Sequence, residues 1–421
     1  MIPSTRMSRP PGGEPLERAG PFAVLGNRNF RLYWSGQAIS LVGTWMQVVA
    51  QSFVVVHLSN RNVSLGLIHV ATSVPMILLS LSGGAFADRA DRRKILLATQ
   101  FVLMLLAFAF AALVHSGRLT MGAIMVLAVL AGTAAAFDLP ASQALTPQLV
   151  EPRQIPQAVA LMQAIFHGSR LIGPALAGML MGPFGPEALF IANGVSFIAV
   201  IATLMWIRPA PRPPRPHGEG AGIGQGVRYV MTRPDVRALM AITALGAVMI
   251  FPFMVVLGAG FAKQFYGGRG DALGIMMAGS GAGALTGALV LLTVSDAERM
   301  RRIGICTVGM GVALGAYALS RSLPLTVMAI FALTFCVSSA MGLASTILQQ
   351  SVPDHLRGRV MSINTLLFIG LMPFAALGLG GLSDRVGLPR VMGGAAIAHV
   401  IGSVLLLRRA VVAHRVVSSD G

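Results

Sequence analysis

"GGAFADRADRRK" (83–94) crowds six charged side chains into the seven residues from Asp88 to Lys94, with apolar sequence on both sides. The 26 residues between Arg61 and Asp88 contain no Asp, Glu, Lys or Arg, and neither do the 23 between Lys94 and Arg118. Further out, charge-free runs of 29 and 19 residues separate Arg31 from Arg61 and Arg118 from Asp138. Crossing ~30 Å of hydrocarbon takes about 20 helical residues. Each run is therefore long enough to span a bilayer, and the charged stretch reads as the turn between two spans. Lipid offers backbone N–H and C=O groups no partners, so the spans are expected to be helices. A β-barrel would need short alternating segments, which these runs are not.

The same reading along the chain predicts twelve spans. Six lie near 31–58, 63–87, 94–116, 119–149, 155–182 and 187–207, and six near 236–262, 271–295, 302–320, 323–352, 358–383 and 388–408. With 55% hydrophobic and 11% charged residues, the chain has far fewer charges than the ~25% of a soluble domain. The expected fold is all-α: twelve transmembrane helices in two six-helix halves. The expected parts are a cytoplasmic tail (1–28), a first bundle (29–207), a linker (208–235), a second bundle (236–409) and a second tail (410–421). Residues 1–28 are basic and rich in Pro and Gly, without the short apolar core of a removable signal. Cys306 and Cys336 fall inside spans and read as small packing residues rather than a disulfide.

The net charge of +17 is unevenly spread. With the N-terminus inside, 24 Lys/Arg fall on cytoplasmic segments, seven on outer loops, and Arg170 within a span. This is a positive-inside pattern, and it places both termini in the cytoplasm. It points to anionic headgroups of the inner membrane as partners and away from nucleic acid. It accounts for the arginines of the opening stretch but not for Asp88 and Asp91, because acids contribute little to orientation.

Features recur across the linker. The turn at 88–94 has a counterpart in "SDAERMRR" (295–302), and "TPQLVEPRQIPQAVALMQAI" (146–165) has one in "LQQSVPDHLRGRVMSINTLL" (348–367). "GGLSDRVG" (380–387) ends the eleventh helix and is a shorter copy of "GGAFADRADR"; the predicted topology puts this copy on the outer side. Parallel halves with inverted repeats inside them are a secondary-transporter pattern.

On these residues the chain resembles the major facilitator superfamily. Gly84, Asp88, Arg89, Asp91, Arg92 and Arg93 fit that superfamily's loop between helices two and three. "GSRLIGPALAGML" (168–180), with Gly168, Gly173, Pro174 and Gly178, resembles the helix-five motif of its antiporters. "NRNFRLYWSGQAISLVGTWMQ" (27–47), "FDLPASQALTPQLV" (137–150) and "VPDHLRGRVMSI" (352–363) are similar to the branch of enterobactin exporters and macrolide-efflux proteins. "SDAERMRR" departs from the full loop pattern, lacking its Gly and its Asp-Arg pair. The resemblance implies that the 84–93 loop lies against the cytoplasmic start of helix eleven. There the Asp88 carboxylate meets free helix N–H groups and Arg359 adds a charge-assisted bond, together forming a cytoplasmic gate.

Two charges lie deep in spans. Asp138 is about 12 residues, and Arg170 about 15, from the cytoplasmic side, which is roughly 18 and 22 Å at helical rise. Each alone costs about 2.5–3.5 kcal/mol on insertion scales, so a pair between adjacent helices is expected. A substrate that separated them would drive proton uptake, with His167 as a second relay candidate. The alternative is a structural pair, or an Asp138 satisfied by Thr133 and Ser142 beside Pro140.

The resemblance implies a central cavity lined by helices one, four, seven and ten. Its candidate lining is Gln37, Met46, Gln47 and Gln51 on helix one, Phe251, Phe253 and Met254 on helix seven, and Gln349 and Gln350 on helix ten. Amides beside Met and Phe suit an amphiphile such as a drug, toxin or siderophore. The expected function is proton-coupled export of such a molecule by a monomer. Uptake, lipid flipping, or a receptor or scaffold without transport are the alternatives. Neither an enzyme motif, nor a nucleotide-binding loop, nor a metal spacing is present in the sequence, so no cofactor is expected.

Overall fold

The computed structural model describes residues 22–208, 223–268, 270–295 and 298–419. A few side chains within these helices, among them those of Asp88, Arg89 and His167, lie outside the described residues, as does the backbone of 209–222. No strand occurs among the described residues.

Four spanning helices open the chain: α1 (Arg28–Ser59), α2 (Asn62–Arg89), α3 (Arg92–His115) and α4 (Met121–Leu145). Their ends follow local chemistry. Asn60 closes α1 in the left-handed region at φ 53°, a conformation that Asn tolerates better than most residues. Asp91 caps α3 by accepting from the N–H groups of Arg93 and Lys94, and Thr120 caps α4 through the N–H of Ala123. Helical hydrogen bonding then continues from Ile155 to Trp206, but Gly185 interrupts it at φ 72°, ψ 176°, between Pro183 and Pro186. Only glycine sits easily there. The break divides the segment into α5 (155–184) and α6 (186–206).

Span α7 is built in three pieces: Pro234–Met249, a π turn at Pro252–Val256, and Gly258–Tyr266. Pro252 has no N–H, so the register slips there and its own carbonyl accepts from the N–H of Leu257. The remaining spans are α8 (Gly270–Val290), α9 (Arg299–Leu319), α10 (Leu323–Ser351), α11 (Asp354–Val386) and α12 (Leu388–Ser419). Among the described residues, eleven helical stretches are long and apolar enough to cross a membrane. Divided at Gly185, the longest of these contributes two, giving the twelve spans that the sequence predicts.

Asn29, at the start of α1, bonds to the Arg208 carbonyl that follows α6. This end of the molecule, which also carries the short helix Ile223–Thr232, is called the linker face; the opposite end is the far face. The short helix docks on the second bundle. Tyr229 Oη donates to the Ser351 carbonyl at 3.1 Å, and Arg359 Nη1 donates to Gln225 Oε1 at 2.7 Å.

Packing differs between the two faces. Toward the far face, one apolar cluster runs without a break through both bundles, from Phe110 and Phe190 in the first to Phe261 and Tyr317 in the second. Toward the linker face there are two separate clusters. One surrounds Tyr33, Leu96 and Leu204 in the first bundle, and the other surrounds Leu239, Leu348 and Val360 in the second. The bundles therefore share a core at one end and part at the other. The seam closes through small residues, as expected where lipid supplies no hydrophobic drive and close backbone contact must do so. A Cβ on Gly274 of α8 would overlap the Gly178 backbone of α5, and one on Gly66 of α2 would overlap Leu377 of α11. Within the second bundle, Gly279, Gly283 and Gly287 of α8 recur every four residues and lie against Val327, Phe331 and Phe335 of α10.

Candidate functional site

At the linker face, the described residues of the charged turn anchor the first bundle. The Asp91 carboxylate caps α3, with Oδ1 3.0 Å from Arg93 N. Arg92 donates to the Ala144 carbonyl at 3.3 Å. Arg93 donates to the Leu204 and Met205 carbonyls at the end of α6. Gly84 and the side chains of Asp88 and Arg89 lie outside the described residues, and so does any contact of Asp88 with α11. Arg359, the expected partner, engages Gln225 of the short helix.

The far face holds a contact of the kind expected at the other end. The Asp384 carboxylate, at the end of α11, accepts from the backbone N–H of Asn62 at 2.7 Å and of Val63 at 3.1 Å. These are the first two residues of α2, whose N–H groups have no partner inside the helix. The partial positive charge of the helix start favours an anion there. Asp384 belongs to "GGLSDRVG", the copy of the loop motif, which likewise ends its helix but on the opposite face of the molecule. Beside it, Lys263 Nζ donates to the Val56 carbonyl at 2.6 Å and to Asn60 Oδ1. Both contacts cross between the bundles.

The two deep charges do not pair. Asp138 is held from α3: Thr99 Oγ1 donates at 2.6 Å and Gln100 Nε2 at 2.9 Å, both to its Oδ1. Thr133 and Ser142, the alternative partners, bond elsewhere, Thr133 to the Val129 carbonyl and Ser142 to Tyr33 Oη at 2.7 Å. Arg170 instead lies over the Trp45 indole of α1, its Cζ 5.2 Å from the ring centroid. The physical reason is direction. Asp138 faces α3 within its own bundle, whereas Arg170 lies on the side of α5 that meets α1 and α8. His167 lies outside the described residues.

Arg170 belongs to a graded stripe. Positions 181, 177, 170, 163 and 159 fall within about 40° of one another on a helix turning 100° per residue. Met181 and Ala177 are 4% and 0% exposed, Arg170 is half-buried, Gln163 is exposed and Val159 is 44% exposed. One side of α5 thus passes from sealed at the far face to open at the linker face. Neighbouring positions carry the closing contacts: Gly173 against Trp45 and Val42, Gly178 against Gly274, and Pro174 with its carbonyl near Gly274, while Gly168 faces open space.

The candidate cavity residues divide. Met46 and Phe253 are 5% and 1% exposed and belong to the shared core rather than to a cavity wall. Phe251 packs edge-on against Phe368 of α11 at 4.3 Å. Gln37 is buried and donates to Tyr33 Oη at 3.0 Å, and Gln47 accepts from Asn193 of α6 at 2.6 Å, so both amides serve the first bundle. Gln51 and Met254 remain half-buried. Gln349 and Gln350 are exposed at the linker-face rim, where Gln350 accepts from Arg299.

Compared with known proteins, residues 19–420 match the major facilitator family described as transmembrane secretion effector. The chain belongs to this family. Members similar to it include the staphyloferrin A transporter of Staphylococcus aureus, 24% identical over 86% of this chain and 91% of that protein. The multidrug efflux pump Tap of Mycolicibacterium fortuitum is 24% identical over 82% and 87%. The fold also matches an inward-facing bacterial homologue of the lysosomal transporter Spinster, with a TM-score of 0.70 at 13% identity over 92% of this chain and 97% of that one. This family member is a membrane transporter and not an enzyme.

Five residues at these contacts escape sequence reasoning: Thr99, Gln100, Trp45, and Asn62 and Val63 with their N–H groups. A polar pair at 99–100 inside an apolar span was the one available signal.

Proposed function

We propose that this transporter exports an amphipathic small molecule across the inner membrane by alternating access, driven by proton entry, with the linker face in the cytoplasm. The asymmetry of the core carries this reading. A shared cluster and a polar clasp close one end of the seam while the other end is parted, which is the form of an inward-facing transporter. Reversal requires that Asp384 and Lys263 release α2 and α1, that the shared cluster and the glycine contacts at the far face part, and that the linker-face ends approach. The excess of Lys/Arg on the linker-face segments supports the orientation. The names of the similar efflux proteins support the direction and the substrate class.

Asp138 is the proposed proton carrier. Both of its donors converge on Oδ1, which leaves Oδ2 to take a proton. Asp138 bonds to α3, and Tyr33 Oη bridges α1 to Ser142 of the same helix, so loading that proton is felt at the α1 side of the seam. The test is transport in proteoliposomes over a compound panel, with and without a pH gradient, comparing the parent with Asp138→Asn. Gradient-driven export that Asp138→Asn abolishes is the expected result. Export indifferent to the gradient removes the coupling, and accumulation in the opposite direction reverses the assignment to uptake.

A further inference from the structure

Arg170 is the one described charge that sits on the seam and at mid-depth. Among the described residues no carboxylate, amide or hydroxyl pairs with its guanidinium. Asp138, the acid at matching depth, is tied to Thr99 and Gln100. What holds Arg170 is the face of Trp45 at 5.2 Å, and Trp45 in turn meets Phe166 edge-on at 6.4 Å and 70°. Phe166 is 41% exposed, and the stripe below it opens to the linker face. The inner end of this open side of α5 therefore presents a planar cation with five N–H donors, backed by aromatic rings. A guanidinium accepts carboxylates and other oxyanions bidentately, and a cation left unpaired inside a membrane is costly until an anion joins it.

We propose that Arg170, with Trp45 and Phe166, is the substrate-anchoring subsite, and that the preferred substrate is an organic oxyanion with a flat apolar body. The oxyanion takes the guanidinium N–H groups and the apolar body lies along the rings. The subsite is braced from behind, because the Arg170 carbonyl and Leu171 pack against α8 where Gly281 leaves room. This rests on the transport reading above and narrows its substrate class.

The experiment is calorimetric titration of the full chain in lipid nanodiscs with two isosteric probes, naphthalene-2-carboxylate and naphthalene-2-carboxamide. The carboxylate is expected to bind about tenfold or more tightly than the carboxamide, the worth of a charge-assisted contact. Arg170→Gln should bring that ratio to about one. Arg170→Lys should keep a reduced preference, and Trp45→Leu should weaken both probes. A ratio of one in the parent, a ratio that survives Arg170→Gln, or no binding of either probe overturns the proposal. Should Arg170→Gln fail to fold, the parent ratio and its reduction in Arg170→Lys decide the matter; a Lys variant with the full parent ratio counts against the bidentate site. Export of neutral or cationic compounds without carboxylate preference would leave the transport reading standing and sink this one. Carboxylate preference without flux would do the reverse.

Discussion

The far face and the linker face are built from the same repeated sequence pieces, yet one is joined and the other parted. At the far face, Asp384 reaches across to α2, Lys263 reaches to α1, and glycines bring α2 against α11 and α5 against α8. At the linker face, Asp91 caps its own helix, Arg92 and Arg93 tie α3 to α4 and α6 within one bundle, and Arg359 ties the short helix to the other. Contacts between bundles set the balance of states, whereas contacts within a bundle set only its stability. A change that improves or damages both states equally moves no population.

The largest test of that difference is Gly274→Leu. Its side chain has no space beside Gly178, and overpacking costs about 1–3 kcal/mol, equivalent to a shift of roughly 5- to 150-fold toward far-face opening. Spin labels at Arg118 and Ser322, read by pulsed dipolar spectroscopy, should move apart as labels at Arg153 and Arg301 approach. Next come the variants of the clasp. Asp384→Asn removes a carboxylate from a helix start, worth about 0.3–2 kcal/mol, and should shift the same distances in the same direction but less. Asn62→Pro tests the same bond from the donor side. Position 62 is the first residue of α2, where proline is well tolerated, and Arg61 before it is already extended at φ −126°, ψ 130°. The N–H to the Asp384 carboxylate is lost together with the Asn62 side chain that lies against Gly260, and the distances should shift in the same direction. At the linker face, Arg93→Gln should lower thermal stability by about 1 kcal/mol and leave both label distances where they were. Arg359→Gln, with one bond to an exposed amide, should cost about 0.5 kcal/mol or less and be silent in the distances. Linker-face variants that move the distances as far as Gly274→Leu would break the distinction.

The fold was legible because each span announces itself by length alone. Even the break between α5 and α6 is visible in "GPFGPE" (182–187), where two prolines bracket the glycine that must take positive φ. The charge depths of Asp138 and Arg170 were legible for the same reason, since helical rise converts residue count to distance. Their partners were not. Rotation about the helix axis decides whether a side chain meets α3 or the seam, and a span apolar on all sides carries no amphipathic signal to fix that rotation. Gln47 shows the same limit: one amide on α1 looks like any other until Asn193 is found opposite it. The far-face clasp was half legible. The copy at 380–387 marked Asp384, but its hydrogen-bond partners are main chain, which leaves no residue type to search for, and the Arg61 guanidinium 3.9 Å away is an exposed outer-loop cation like several others.

That last property reaches beyond the present structure. Because the Asp384 carboxylate is received by peptide N–H groups, the bond itself asks for no particular side chain at 62 or 63, where packing against Gly260 and Gly381 sets the limits instead. The acid itself has no such freedom. A loss at 384 therefore cannot be repaired by a compensating side chain across the seam, and second-site revertants of an Asp384 variant should map to the glycine contacts instead.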